Sequence, residues 1–272
     1  MTQQFLLYQR SSICYYRFGS GPVPVYCFHG YGESGESFGF LEKFAGDRFT
    51  FYAPDLPFHG KTKWGEGLKF TPGDLGAIIA GIESDNGIGA TIRPVLMGFS
   101  LGGRVALSLL ELRPERTSKL VLLAPDGLKL DFWYWLSTQT RLGNKLFRYT
   151  MYKPAWFSLL LSMINRLGLV NASIFKFVRF YIGDAGVREA LYCRWTALRE
   201  LRPRRRRLQA AIRRWDIPVR IVYGKHDRII SARRGRKFTT RMESQARIYV
   251  INSGHELLRE KHAAELLPAL NE

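Results

Sequence analysis

Residues 93–114 read RPVLMGFSLGGRVALSLLELRP, an apolar run that passes directly into a helical pattern. The first part suits a strand buried on both faces, and SLGGRVALSLLELR carries its apolar residues at helix spacing. Ser100 stands at the junction, with Gly98 two residues before it and Gly102 two after. A sharp strand-to-helix turn holds its central residue in a strained conformation with the side chain exposed, and only small residues fit beside it. The spacing therefore predicts a serine Oγ standing out of a sheet edge. Leu101 then falls in the first helical turn, where backbone N–H groups have no helical partner and can bind a developing oxyanion. An accidental Gly-x-Ser-x-Gly turn has the same residues; what separates the two readings is the placement between an apolar strand and a helix.

Outward from this junction, short apolar runs alternate with helical patterns. FLLYQRSSICYYRF reads as a hairpin of two strands, and VPVYCFHG, FTFYAPD, RPVLMGF, KLVLLAP, IPVRIVYG and ARIYVIN supply six more. Helices are predicted over Ser37–Phe44, after Ser100, near Ser231–Met242, and in the closing ELLREKHAAELLPAL. Continuous apolar strands separated by helices indicate an α/β fold with a mostly parallel, eight-stranded sheet covered on both faces. In such a sheet the strand ends that lead into helices form the functional edge.

A serine hydroxyl is a weak nucleophile and needs a base that a third group orients. VINSGHELLRE places His255 just beyond the last predicted strand, and IVYGKHDRII places Asp227 in the loop after the penultimate one. Asp126, in LLAPDGL after the strand that follows Ser100, is a rival acid whose plainer role is a turn or helix cap. His226 adjoins Asp227 and is expected to point away. His29 and His59 read as structural partners of their glycine-containing turns, His262 as a solvated helical residue, and Glu256 as a first-turn helix acid.

With these residues in hand, the chain resembles the α/β-hydrolase superfamily over nearly its whole length. GFSLGG, YGKHD and SGH resemble that family's nucleophile, acid and base motifs, in the family's chain order Ser100, Asp227, His255. FHGYGES resembles the oxyanion loop after the third strand, in which His29-Gly30 is followed by Tyr31, whose N–H joins the oxyanion hole. APDLPFHGKT resembles the Asp-x-Pro-Gly-His-Gly-x-Ser turn, with Phe58 and Thr62 departing from it. The resemblance favours Asp227 over Asp126 as the acid. It also implies that an insertion after the sixth strand forms a helical cap over the active site.

Composition marks such an insertion. From Lys129 to Asp216 there are 18 Lys/Arg against 5 Asp/Glu, so this span holds most of the chain's net charge of +18. It also contains five of the six tryptophans. We therefore divide the chain into a hydrolase core, 1–128 and 216–272, and a helical cap, 129–215. DFWYWLSTQ, AWFSLLLSMI and SIFKFVRFYI supply rings for an apolar pocket, although most must build the cap's own core. The run RPRRRR, residues 202–207, reads first as a solvated helical face, next as attraction to an anionic membrane surface or acidic substrate, and last as nucleic-acid binding, since no recognised module accompanies it.

Three distant cysteines, Cys14, Cys27 and Cys193, offer neither a disulfide framework nor metal-ligand spacing. No apolar run reaches the roughly 18 residues of a membrane span, and MTQQFLLYQRSS, with no basic lead and a four-residue apolar run, does not read as a signal peptide, so a cytoplasmic protein is expected, in peripheral contact with the membrane if the basic cap binds one. The expected activity is hydrolysis of an ester, or related carbonyl, of an apolar or aromatic small molecule, anionic ones included, through a Ser-His-Asp triad and an acyl-enzyme, without metal or organic cofactor. Ser100 argues against the haloalkane dehalogenases and epoxide hydrolases of the superfamily, which use Asp there. Carbon–carbon cleavage of a vinylogous diketone is the runner-up. Thioesterase, lyase and cofactor-free peroxidase chemistry also occur on such a triad, and a binding or membrane-surface module that kept the fold stays open.

Overall fold

The computed structural model describes residues 1–167 and 172–272. The predicted insertion runs through 168–171, so the end of its apolar stretch lies outside the described residues, as do the side chains of Phe177 and Phe180. Eight strands form one sheet: β1 Thr2–Tyr8, β2 Ser11–Phe18, β3 Val23–Phe28, β4 Phe49–Pro54, β5 Val95–Phe99, β6 Lys119–Leu123, β7 Val219–Gly224 and β8 Ala246–Ile251. Their order is β1-β2-β4-β3-β5-β6-β7-β8. The β1–β2 and β2–β4 pairs are antiparallel and the other five are parallel. Every residue of β4, β5 and β7 is buried, as continuous apolar strands demand in a sheet covered on both faces. The edge strand β1 instead alternates exposed and half-buried residues.

The helices are α1 Leu41–Ala45, α2 Pro72–Asp85, α3 Leu101–Leu112, α4 Phe132–Gln139, α5 Arg141–Tyr152, α6 Ala155–Arg166, α7 Ala172–Gly183, α8 Ala185–Ala197, α9 Arg205–Arg214, α10 Ala232–Thr239 and α11 Ala263–Asn271. Strand order reverses at β3, which has β4 on one side and β5 on the other. This puts the C-terminal ends of β3 and β5 at the point where an open α/β sheet leaves a crevice.

Two helical expectations change in the structure. The segment 35–45 is a short 3₁₀ turn, Gly35–Phe38, followed by α1, with Phe38, Leu41 and Ala45 buried. The closing helix begins at Ala263 rather than Glu256. Residues 255–259 instead make tight turns in which Leu257 N–H donates to His255 O and Arg259 N–H to Leu257 O, both at 2.9 Å. That turn buries Leu257 and Leu258 and turns His262 inward, where Ser253 Oγ meets its Nε2 at 3.0 Å; His262 is not the solvated residue its helical pattern implies.

The chain divides into two compact units: Met1–Glu66, Phe70–Lys129 and Glu200–Glu272 in one, Gly67–Lys69 and Leu130–Arg199 in the other. The first holds the whole sheet and α9. Composition groups residues 200–215 with the insertion, but contacts group them with the sheet. Leu208 and Ile212 of α9 are buried, Arg204 N–H donates to Glu111 at 2.7 Å, and Gln209 donates to Phe238 O at 2.8 Å. Arg204–Arg207 are exposed; Arg205 donates to Lys237 O, and Arg207 lies 3.7 Å from Glu111. The second unit has its own small core of Met151, Ile182 and Tyr192, with Phe147 and Phe157 packed against it.

Candidate active site

The turn between β5 and α3 explains the glycines around Ser100. Ser100 has φ 50° and ψ −113°, outside the regions that side chains ordinarily occupy. Three hydrogen bonds hold it there: its N–H donates to Leu123 O at 2.9 Å, and its carbonyl accepts from Gly103 N at 2.9 Å and Asp126 N at 2.8 Å. Phe28 pairs with Gly98 across β3 and β5. A Cβ on Gly98 would lie 2.4 Å from Gly102 O, and one on Gly102 would lie 1.8 Å from Phe28 O. The glycines are thus where the helix start crosses the end of β3, and no larger residue fits without moving backbone.

Ser100 Oγ lies 2.9 Å from His255 Nε2, and His255 Nδ1 lies 2.8 Å from Asp227 Oδ2. The Asp227 side chain is fully buried, and its other oxygen accepts N–H groups from Ile229 at 2.7 Å and Ile230 at 2.9 Å. With a carboxylate as acceptor, the proton of the neutral imidazole belongs on Nδ1, which leaves Nε2 to accept from the serine hydroxyl. Phe99 packs beside the imidazole, with ring centroids 5.5 Å apart. The three residues come from loops after β5, β7 and β8, all at the same edge of the sheet.

Asp126 is engaged elsewhere. Its carboxylate accepts from Arg104 Nη2 and, at 2.6 Å, from Gly127 N. Arg104 is buried on α3, one helical turn beyond Ser100, so the Arg104–Asp126 pair supports the turn from beneath. His226 bonds Asn252 Oδ1 through Nε2 at 2.9 Å, away from Asp227. Glu256 is exposed and pairs with Arg259 at 2.7 Å.

The loop after β3 carries His29, Gly30 and Tyr31. His29 is fully buried; its Nε2 accepts Leu56 N–H at 3.0 Å and its Nδ1 lies 2.8 Å from Gly30 O, so it ties this loop to the one after β4. Glu33, which the sequence does not single out, accepts Gly30 N–H at 3.1 Å. Burial pushes its carboxyl above the ordinary carboxylate value, partly offset by that backbone hydrogen bond. Asp55 anchors the second loop by accepting Gly35 N and Lys61 N, each at 2.7 Å. His59 Nδ1 lies 2.9 Å from Pro57 O. Thr62 donates to Asp55 O at 2.8 Å and accepts Cys14 N–H at 3.0 Å. Phe58 adopts φ 63° where the resembling motif has glycine, so this chain carries backbone strain there. Leu101 is the first residue of α3, and Tyr31 lies three residues beyond β3. Among the described residues, no group of three His, Cys, Asp or Glu gathers in a way that could hold a metal ion.

Comparison with known proteins agrees with this architecture. The model of the alpha/beta hydrolase family matches residues 25–269. The uncharacterized hydrolase YugF of Bacillus subtilis is 23% identical over 249 residues, spanning 89% of this chain and 86% of its own. The lipase LipV of Mycobacterium tuberculosis is 34% identical over 110 residues, 40% of each chain. Among solved structures, a thermophilic esterase from Thermogutta terrifontis superposes with a TM-score of 0.67 at 18% identity, over 99% of this chain and 98% of that one; at that identity the likeness is one of fold. The chain belongs to the α/β-hydrolase family and is a hydrolase of that type.

Proposed function

We propose that the chain is a serine esterase acting through an acyl-enzyme. The observation that carries this reading is the continuous relay from Ser100 Oγ through His255 to buried Asp227, at 2.9 Å and 2.8 Å. His255 Nε2 takes the hydroxyl proton as Oγ attacks the ester carbonyl, and Asp227 fixes the tautomer and stabilises the imidazolium. The Tyr31 and Leu101 N–H groups receive the oxyanion of the tetrahedral intermediate. His255 then gives its proton to the departing alcohol oxygen. Water, deprotonated by His255, attacks the acyl-enzyme, which releases the acid and restores Ser100.

The substrate class we assign is an ester with an apolar or aromatic acyl group. It draws support from the relatives named as lipase and esterase, and from the aromatic composition of the insertion. The test is hydrolysis of p-nitrophenyl esters of increasing chain length by the wild type and by Ser100→Ala. Turnover that persists in Ser100→Ala contradicts the reading. A second reading, hydrolysis of a carbon–carbon bond in a carboxylate-bearing vinylogous diketone, is favoured by Arg259 and Lys261, which line an open cleft of about 410 Å³ beside His255. Turnover of such a diketone acid in preference to all esters selects it.

A further inference from the structure

Helix α9, which carries most of the arginine run, belongs to the sheet unit, which leaves the charge and apolar surface of the insertion to be explained by its own helices. In α5 two neighbouring stripes are exposed. Arg141, Lys145 and Arg148 form one, at steps of four and three; Leu142, Leu146 and Tyr149 form the other. The inward side of the same helix carries Thr150 and Met151, and Met151 belongs to the small core of the unit. The following helix, α6, buries none of its residues. Its Trp156, Leu159 and Met163 recur at helical spacing and are all exposed, Leu159 by 74% and Leu142 of α5 by 80%. Single exposed leucines are ordinary, but an apolar stripe on a helix with no buried residue marks an interaction surface.

The charge pattern decides between occupants. From residue 141 to 167 there are five Lys/Arg and no Asp or Glu. A symmetric pairing with a second copy would bring these like charges together. An anionic bilayer satisfies both halves of the pattern: headgroups meet Arg141, Lys145 and Arg148, and the acyl boundary receives the leucines. Trp156 and Tyr149 have the amphipathic rings that favour the headgroup level. No described helix is long and apolar enough to cross a membrane, so the contact is peripheral.

We propose that the α5–α6 segment docks the protein on the surface of an anionic lipid bilayer. The proposal does not rest on the esterase reading. The test is co-sedimentation with vesicles of phosphatidylcholine alone and of phosphatidylcholine mixed with phosphatidylglycerol, at low and high salt. Expected is binding to the mixed vesicles that weakens with salt, and by on the order of 100-fold in R141Q/K145Q/R148Q, since each cation near the surface contributes roughly fivefold. L142S/L146S/L159S keeps every charge and is expected to lose at least about tenfold, because its apolar side chains no longer leave water. Quenching of wild-type tryptophan emission by phosphatidylglycerol with brominated acyl chains is the second readout, and it depends on no variant's folding. No binding to the mixed vesicles, unchanged binding by the serine variant, or no quenching overturns the proposal. A dimer that the serine variant dissociates, in a protein that ignores vesicles, assigns the surface to a second copy and overturns it too.

Discussion

Replacing Gly102 by alanine puts the geometry of the elbow to a quantitative test. The added Cβ would lie 1.8 Å from Phe28 O and 2.8 Å from His29 O. Carbon and oxygen in ordinary contact stand about 3.3 Å apart, so the start of α3 and the end of β3 must separate by about 1.5 Å. Both obstructing atoms are backbone, and β3 is held in register on both sides by β4 and β5. Overpacking of this kind costs roughly 1–3 kcal/mol, and a clash with backbone belongs at the upper end. For a chain of this length about 3 kcal/mol lowers Tm by roughly 6 °C. The same displacement moves Ser100 relative to the loop of His29, Gly30 and Tyr31, and a misplacement of about 1 Å costs on the order of 100-fold in rate. The assays are calorimetry and p-nitrophenyl butyrate turnover, with Gly183→Ala as control, since a Cβ on that helical glycine meets nothing within 4 Å. Gly102→Ala with wild-type Tm and turnover would refute the argument that packing dictates the glycine.

The two candidate acids predict opposite phenotypes. Asp227→Asn should keep the fold and lose on the order of 10⁴-fold in kcat, because an amide facing Nδ1 favours the wrong tautomer. Asp126→Asn should keep the reaction but lower Tm, because it weakens the partner of the buried Arg104; the reverse pattern would exchange their roles. Glu33→Gln retains an acceptor for Gly30 N–H but removes a buried titration. Because burial raises the Glu33 carboxyl above 4.5, the folded state holds this proton more tightly than the unfolded one, and its stability contribution falls as pH rises through the raised value. Thermal unfolding should therefore show the variant gaining on wild type from below pH 4.5 upward, and a pH-independent difference would contradict this. Thr71→Ala removes the side-chain acceptor of Asp74 N–H in the capping box of α2, and should cost about 1 kcal/mol, read as a Tm loss of about 2 °C with unchanged turnover.

What could be read from the chain itself was whatever the backbone dictates at fixed spacing. Gly98, Ser100 and Gly102 are legible because a strand-to-helix turn tolerates little else, and the eight strands because buried parallel strands are continuously apolar. Helix α2 escaped because Gly73, Gly76 and Gly81 dilute its pattern. Their absent side chains let α2 approach Leu112 and Leu6, as the 2.8 Å and 2.7 Å contacts of a built Cβ at Gly76 and Gly81 indicate. Its one clear signal was Thr71-Pro72 followed by Asp74, a capping sequence. Glu33 and Arg104 were not legible as site residues, because their importance comes from partners that the fold, not the sequence pattern, supplies. The helical pattern around His262 implies a solvated residue, but the closing helix starts only at Ala263, with Leu257 and Leu258 buried ahead of it. The boundary near residue 200 was hidden by charge: exposed arginines on α9 resemble the insertion in composition, while Leu208 and Ile212 bind it to the sheet unit.

The most direct test of the central claim is labelling of the purified protein with a fluorophosphonate, read by intact mass beside Ser100→Ala and His255→Ala. An activated serine predicts one adduct on the wild type, none on Ser100→Ala, and sharply slowed labelling of His255→Ala. A folded wild type that takes no adduct, or an adduct that survives in Ser100→Ala, would contradict Ser100 as the nucleophile.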